Sequence, residues 1–245
     1  MDKGKNSRPV PLTKQNTKDV GEFFSHWQRY QKISSANYLF QKESSAILQR
    51  FISDNFIWGF SIMDLGCGDT GAMSKILRES TIEKYTGVDL SPVALRLAEN
   101  NLKKLHCEKN FICGDFLNYV QSPGLEADIV WLGFSLHHLP MHQKEKMLVF
   151  CRSILGFHGY VIIYEPLLKE NESVENYLRR WWKICCTWKV LSDSEKEEAR
   201  WHAMRDDHPE SLSTLEKIGL ASGFKYVERL YKSPNEHCHL VCFRT

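Results

Sequence analysis

The stretch that most constrains this chain reads Ile62-Met63-Asp64-Leu65-Gly66-Cys67-Gly68-Asp69-Thr70-Gly71. An apolar run that begins near Phe60 stops at Asp64, and three glycines then fall within six residues. Beyond them the apolar spacing becomes that of a helix, so the pattern predicts a strand, a tight turn and a helix start. Glycine suits such a turn because it takes positive φ cheaply and lets a bound molecule approach the main chain. Gly66-x-Gly68-x-x-Gly71 also matches the dinucleotide-binding fingerprint. By itself that match does not choose among nucleotide-like ligands.

Downstream, strand and helix patterns alternate. Met73, Ile76 and Leu77 belong to the first helix, residues 85–88 to a second strand, and Ser91-Pro92 is a cap and first-turn pair for the next helix. Residues 110–113, 127–132 and 160–164 read as further strands, with a helix over 147–155. Strands separated by helices predict an α/β fold, a doubly wound, mostly parallel sheet with helices on both faces. Ligands of such a sheet lie beyond the carboxyl ends of its strands. The residues there are 64–68, Asp89, Asp115, 132–138 and Glu165.

Asp89 follows Gly68 at the interval from which a carboxylate reaches an adenosine ribose, where it can accept both hydroxyl donors. The competing reading is an acidic residue beside the Ser91 cap. Asp115, one strand on, is placed to accept from an adenine amino group. Asp64 and Asp69 separate the ligands: a pyrophosphate over this turn would be repelled by them, whereas a sulfonium cation would be attracted. No Gly-Lys-Ser/Thr follows the glycines, which argues against a phosphate-binding P-loop.

The motif series is Asp64-Leu65-Gly66-Cys67-Gly68, Val88-Asp89-Leu90-Ser91, Gly114-Asp115-Phe116, Asp128 through Phe134-Ser135-Leu136-His137-His138-Leu139, and Leu155-Gly156-Phe157-His158-Gly159-Tyr160-Val161. In order and spacing it resembles the class I, Rossmann-like S-adenosylmethionine-dependent methyltransferases of small-molecule type, over roughly residues 58–165. The resemblance implies a seven-stranded sheet with an antiparallel last strand, and S-adenosyl-L-methionine as cofactor. It implies that Asp64 orients the cofactor's amino-acid end while Gly66, Cys67 and Gly68 offer main chain. Asp89 with Leu90 would hold the ribose, and Asp115 with Phe116 the adenine. Leu132, Gly133, Phe134 and His137 would line the cofactor beyond the fourth strand. Independently of the resemblance, Tyr30 and Tyr38 are aromatic candidates to stack on the sulfonium or the acceptor through cation–π contact. One departure is visible: the family's third glycine usually comes two residues after the second, where this chain has Thr70.

The flanks complete a single domain over 19–245. Residues 1–18 are polar, with Pro9 and Pro11, and read as a flexible tail. Val20, Phe23, Phe24, Trp27 and Tyr30, then Ile47, Leu48, Phe51 and Ile52, predict an N-terminal helical cap over 19–57, or alternatively a cover for the sheet edge. Residues 168–208 carry Val174, Tyr177, Leu178, Trp181, Trp182, Cys185 and Trp188 at helical spacing, then a charged helix. They read as a helical lid insertion after the fifth strand; a dimer interface or plain packing are the alternatives. Ser211 or Ser213 caps a helix that Gly223 ends, and residues 224–231 and 237–243 form a closing hairpin.

Methyl transfer from a sulfonium is an in-line displacement that requires positioning and exclusion of water, with a base only where the acceptor must lose a proton. The catalytic candidates are His137, His138, Glu165 and His208, with Asp207 closing from the lid; packing, capping and strand-terminal roles compete for the same residues. No metal site is expected. The balance of 32 basic and 30 acidic residues, without a Lys/Arg block, disfavours nucleic acid. The Asn/Asp-Pro-Pro-Tyr/Phe sequence of amino-methylating DNA enzymes is missing after the fourth strand. Eight scattered cysteines without a Cys-x-x-Cys pair, no signal-peptide core and no long apolar run predict a cytoplasmic protein with no membrane partner. The expected activity is methyl transfer to an oxygen or nitrogen of a small polar or carboxylate-bearing metabolite. A non-catalytic S-adenosylmethionine sensor, a protein-acceptor methyltransferase and an NAD-dependent dehydrogenase are the alternatives, the last disfavoured by Asp64 and Asp69. Monomer and homodimer both remain open.

Overall fold

Seven strands lie in one sheet in the order β3-β2-β1-β4-β5-β7-β6. The computed structural model describes residues 27–245; the tail over 1–18 and the helix positions Val20, Phe23 and Phe24 lie outside them. β1 (Phe60–Leu65), β2 (Ile82–Asp89), β3 (Glu108–Cys113), β4 (Ala127–Gly133) and the inner part of β5 (Leu155–Pro166) pair in parallel. β7 (Cys238–Arg244) inserts antiparallel between β5 and β6 (Tyr226–Lys232). The expected α/β sheet with an antiparallel last strand is therefore present.

Burial explains the central strands. Consecutive residues of β1 point to opposite faces, and both faces are covered. Met63, Leu65, Val130, Leu132, Val161 and Ile163 pack against α6 (Met141–Ile154) and α9 (Leu212–Ala221). Ile62, Ile129, Ile162 and Leu240 face α2 (Gln41–Asn55) and the short α3 (Met73–Ile76) through Leu48, Ile52, Met73 and Ile76. β5 starts earlier than its apolar run because Leu155 pairs with Ala127 before a register break. Ser91 Oγ accepts from Ala94 N at 3.2 Å at the start of α4 (Pro92–Asn101). Ser211, not Ser213, caps α9 by accepting from Thr214 N.

The chain runs from β1 outward through β2 to β3, then returns to β4 and continues outward. The reversal opens a crevice at the carboxyl ends of β1 and β4. Above it sit α1, helical over 27–35, together with α7 (Val174–Cys186) and α8 (Asp193–Asp206). Ile33, Cys185, Trp188 and Leu191 form a small apolar cluster of their own, which joins α1 to the segment around α7. Arg29 and Lys32 add ion pairs to Glu198 and Glu195 of α8, each at 2.5 Å. All eight cysteines are free thiols, five of them buried, although Cys113 and Cys186 are exposed. Among the described residues no helix is long and apolar enough to cross a membrane.

Candidate functional site

The turn after β1 is built from left-handed main chain. Gly66 has φ 77° and Gly68 φ 55°, and Thr70 adopts φ 56° at the place where the family's third glycine stands. A β-branched residue pays strain there. Its Oγ1 reaches Ala98 O at 3.4 Å. Gly66 N and Cys67 N both donate to Val88 O, at 2.8 and 3.1 Å, which ties the turn to the end of β2. A Cβ on Gly66 would lie 2.8 Å from Ser135 Cβ, whereas one on Gly68 would meet nothing within 4 Å. The main chain at Gly68 is therefore open to a close-lying ligand.

Three carboxylates surround this turn, each with a different task. Asp64 is buried and accepts from Tyr85 Oη at 2.6 Å. Burial, reinforced by the nearby Asp89, pushes its carboxyl up to about 7. Asp89 accepts from Gly68 N and Ser91 N, each at 2.8 Å, and burial raises it as well. Asp69 accepts from Trp27 Nε1 at 3.1 Å and Gln31 Nε2 at 2.9 Å, so it latches α1 onto the glycine turn.

After β4 the chain turns at Phe134, φ 56°, into a single 3-10 turn, Leu136–His138. Glu165, at the end of β5 and 2 % exposed, sits beneath it. Its carboxylate accepts from Ser135 N and Leu136 N, each at 2.8 Å, and is hydrogen-bonded by His137 Nδ1. The imidazole is thereby fixed with Nδ1 toward Glu165 and Nε2 toward Asp207 Oδ1, 3.6 Å away. His138 Nδ1 and His202 Nε2 lie 3.4 and 3.8 Å from the same oxygen. Burial lowers the affinity of His138 for a proton, but the Asp207 carboxylate beside it outweighs burial and raises it. Asp207 is held just past α8 because His208 N donates to His137 O at 2.7 Å, and buried Lys144 binds both His208 O and Glu210.

These walls enclose a cavity of about 450 Å³. Its sheet side is Asp64, the glycine turn, Gly133 and Phe134; its far side is Tyr30, Gln41, Tyr177, Trp181, Trp188 and His237, with His137, His138, His202 and Asp207 at one end. The Tyr177 ring stacks on His237 at 5.4 Å, and burial lowers His237 to about 3, which keeps it neutral.

The structure brings Asp64, Gly66, Cys67, Gly68, Gly133, Phe134, His137 and His138 onto the cavity wall. It places the other candidates off it. Leu132 is fully buried in the core and Leu90 is 69 % exposed. Asp115 caps α5 (Phe116–Tyr119), accepting from Asn118 N. The ring of Phe116 lies 3.8 Å from where a Gly66 Cβ would stand. Tyr38 stacks on Trp188 at 5.5 Å and its hydroxyl accepts from Lys189 N. Glu165 supports the wall from below, and the His208 side chain is exposed. His202 and His237 escaped the sequence reading, because a histidine on a charged helix or at a strand start carries no local signal.

A sheet reversed between β1 and β4, a left-handed glycine turn at the crevice and an acid ending β2 define a Rossmann-like, nucleoside-cofactor protein. Residues 62–159 match the family model described as a methyltransferase domain. Among curated proteins, an uncharacterized methyltransferase of Bacillus licheniformis is 24 % identical over 115 residues, 47 % of this chain; the match spans about half of that relative, 51 %. A carboxy-S-adenosyl-L-methionine synthase of Campylobacter fetus is 23 % identical over 198 residues, 78 % of this chain and 80 % of the relative. Among solved structures, the Synechocystis magnesium protoporphyrin IX methyltransferase with bound S-adenosylmethionine superposes with a TM-score of 0.60 at 13 % identity, covering 97 % of this chain and 99 % of that one. The plantazolicin methyltransferase BpumL, bound to S-adenosylhomocysteine, gives 0.61 at 14 % identity, covering 95 % and 91 %. Residues 62–159 thus carry a methyltransferase domain, and the seven-stranded sheet around them has the fold of the class I S-adenosylmethionine-dependent methyltransferases.

Proposed function

We propose that the chain transfers the methyl group of S-adenosylmethionine to an oxygen or nitrogen of a small polar metabolite bound between the sheet and helices α1, α7 and α8. One observation carries this reading. Of five buried side-chain polar atoms that lack a hydrogen-bond partner among the described residues, four belong to residues lining the cavity: Gln41 Oε1, Tyr177 Oη, Asp207 Oδ1 and His237 Nδ1. Leaving such atoms unpaired costs about 1–3 kcal/mol each. Gathered in one cavity, they await the polar groups of a ligand, and because Gln41 and Asp207 offer acceptors, that ligand brings O–H or N–H donors.

Bound S-adenosylmethionine supplies a methyl group on a cationic sulfur. The residues fit such a group: Gly66 and Gly68 leave main chain exposed to it, Cys67 lines the same wall, and Asp64 offers a carboxylate to its amino-acid end. Asp89 with Leu90 serves the ribose, and Asp115 with Phe116 the adenine. Gly133 and Phe134 continue the same wall over Leu132, with His137 at its end. Of the two aromatic candidates, Tyr30 lines the cavity and supplies the stacking face, while Tyr38 packs on Trp188. At the acceptor end, His137, oriented by Glu165, presents Nε2 to a proton that must leave, and His138 with Asp207 binds the polar group. His208 contributes its main chain.

Helices α7 and α8 exclude water from that end as a lid. The near balance of charge and the similarly folded methyltransferases named for plantazolicin and magnesium protoporphyrin IX support a small-molecule acceptor. Calorimetric titration with S-adenosylhomocysteine and with NAD tests the cofactor: heat with the first and none with the second is expected. S-adenosylhomocysteine release during a metabolite screen then separates an enzyme from a sensor. Trp181→Ala is expected to raise the acceptor KM selectively; lost stability without that rise would count against the lid.

A further inference from the structure

We propose that His137, His138 and Asp207 bind one divalent transition-metal ion and leave a coordination position open to the cavity. Each of the three offers a ligand atom, and these atoms all lie within 4.8 Å of one another. The separations from Asp207 Oδ1, 3.6 Å to His137 Nε2 and 3.4 Å to His138 Nδ1, are too long or too poorly aligned for hydrogen bonds; His138 Nδ1 also lies 3.4 Å from Asp206 O, a contact it gives up when its lone pair turns to an ion. They suit donors around an ion. Zinc bonds of about 2.0–2.2 Å at tetrahedral angles put donor atoms about 3.3–3.6 Å apart.

The lone pairs give a second, independent argument. In the neutral ring, Glu165 keeps the proton of His137 on Nδ1, so Nε2 turns a lone pair toward Asp207 Oδ1, itself an acceptor. Two acceptors face each other in a buried gap. The Asp207 side chain is 8 % exposed and its Oδ1 has no hydrogen-bond partner among the described residues. A cation between them satisfies both. Glu165 is also the kind of carboxylate that orients a metal-binding imidazole through its far nitrogen. The ligands are held in place, two by the turn Leu136–His138 and the third by the bond from His208 N to His137 O. His202 stands beside the site, with Nδ1 3.0 Å from Asp206 Oδ2 and Nε2 3.8 Å from Asp207 Oδ1.

Two imidazoles and one carboxylate favour zinc, iron(II), cobalt(II) or manganese(II) over magnesium or calcium. With the ion bound, the lone pair of His137 Nε2 is committed to it, and an oxygen or nitrogen of the acceptor meets the open position instead. That consequence rests on the reading of this cavity end as the acceptor site; binding of the ion does not.

The test is calorimetric titration of the full chain with Zn²⁺, repeated on Asp207→Asn and His138→Gln, with S-adenosylhomocysteine binding measured on each. One tight Zn²⁺ equivalent is expected, weakened at least tenfold in both variants, while S-adenosylhomocysteine affinity stays within about twofold. Co²⁺ in place of zinc should give a visible spectrum without a thiolate charge-transfer band. Zinc uptake absent from the natural chain, or equal in the natural chain and both variants, or a Co²⁺ thiolate band that disappears in Cys186→Ser, would overturn the site. Zinc binding that persists in a protein with no affinity for S-adenosylhomocysteine would instead defeat the cofactor reading and leave the metal site standing. If the variants lose S-adenosylhomocysteine binding through misfolding, the Co²⁺ spectrum of the natural chain decides.

Discussion

The two walls of the cavity are made by opposite means. The sheet side is main chain: the left-handed turn at Gly66, Gly68 and Thr70, tied to Val88 O. The far side is side chains: Tyr30 and Gln41 from the first helices, Tyr177, Trp181 and His202 from the insertion, His237 from the closing hairpin. One wall shares its bonds with the fold, so damage there harms folding and ligand binding together. The other carries polar atoms that the fold leaves unpaired. Its function and stability are separable, and in places opposed.

Glycine substitution gives the largest expected effect. Gly66→Ala forces a Cβ at φ 77° to within 2.8 Å of Ser135 Cβ and should cost at least about 2 kcal/mol in chemical unfolding, with loss of S-adenosylhomocysteine binding. Gly68→Ala meets no neighbour and should cost only about 1 kcal/mol. A fall of tenfold or more in S-adenosylhomocysteine affinity is nonetheless expected, because the new methyl group stands in the ligand's approach. If affinity in Gly68→Ala fell no further than stability, the main-chain wall would not be the ligand's bed.

Asp64 gives the next effect, read as a pH slope. Its folded value of about 7 lies above the ordinary carboxylate value of 3.8, so the folded state holds the proton more tightly. The contribution of Asp64 to stability is fully present below about pH 4 and is lost as pH rises to about 7. Melting temperatures of the natural chain and Asp64→Asn, measured from pH 4 to 9, should diverge in favour of the variant up to about pH 7 and run parallel above it. A constant difference would mean that Asp64 is not held protonated by burial.

On the far wall, Tyr177→Phe removes a buried, unpaired hydroxyl. The variant should be as stable as the natural chain or more so, by up to about 1 kcal/mol, while its acceptor KM rises about tenfold. A stability loss with unchanged KM would make Tyr177 a packing residue. Smallest is Glu198→Gln, which breaks the partly exposed pair with Arg29 and should cost no more than about 0.5 kcal/mol. Its acceptor KM should rise more than its S-adenosylmethionine KM if α8 works as a lid.

Much of the sheet wall was legible because its signals are local. The turn glycines, the Ser91-Pro92 pair and the acids ending β1 and β2 each lie within a few residues of the element they shape. Thr70 shows where local reading ends: the left-handed conformation reserved for a glycine is kept by a β-branched residue that neighbours hold in place. Asp69 shows it again. Its charge argued for a cationic cofactor, yet its Oδ2 is spent on Trp27 and Gln31, a partnership no spacing along the chain displays.

By itself the sequence determined the order of strands and helices, the glycine turn and the cofactor class, since period, turn chemistry and caps act between near neighbours. Only the tertiary structure decided that Glu165 turns away from the cavity to hold the ring of His137, and that His137, His138 and His202 converge on one oxygen of Asp207. Those residues come from the end of β4, the end of β5 and the end of α8. What joins them is the packing of the insertion over the sheet, and the free energy of that packing is spread over apolar contacts with no signature in the residues it brings together.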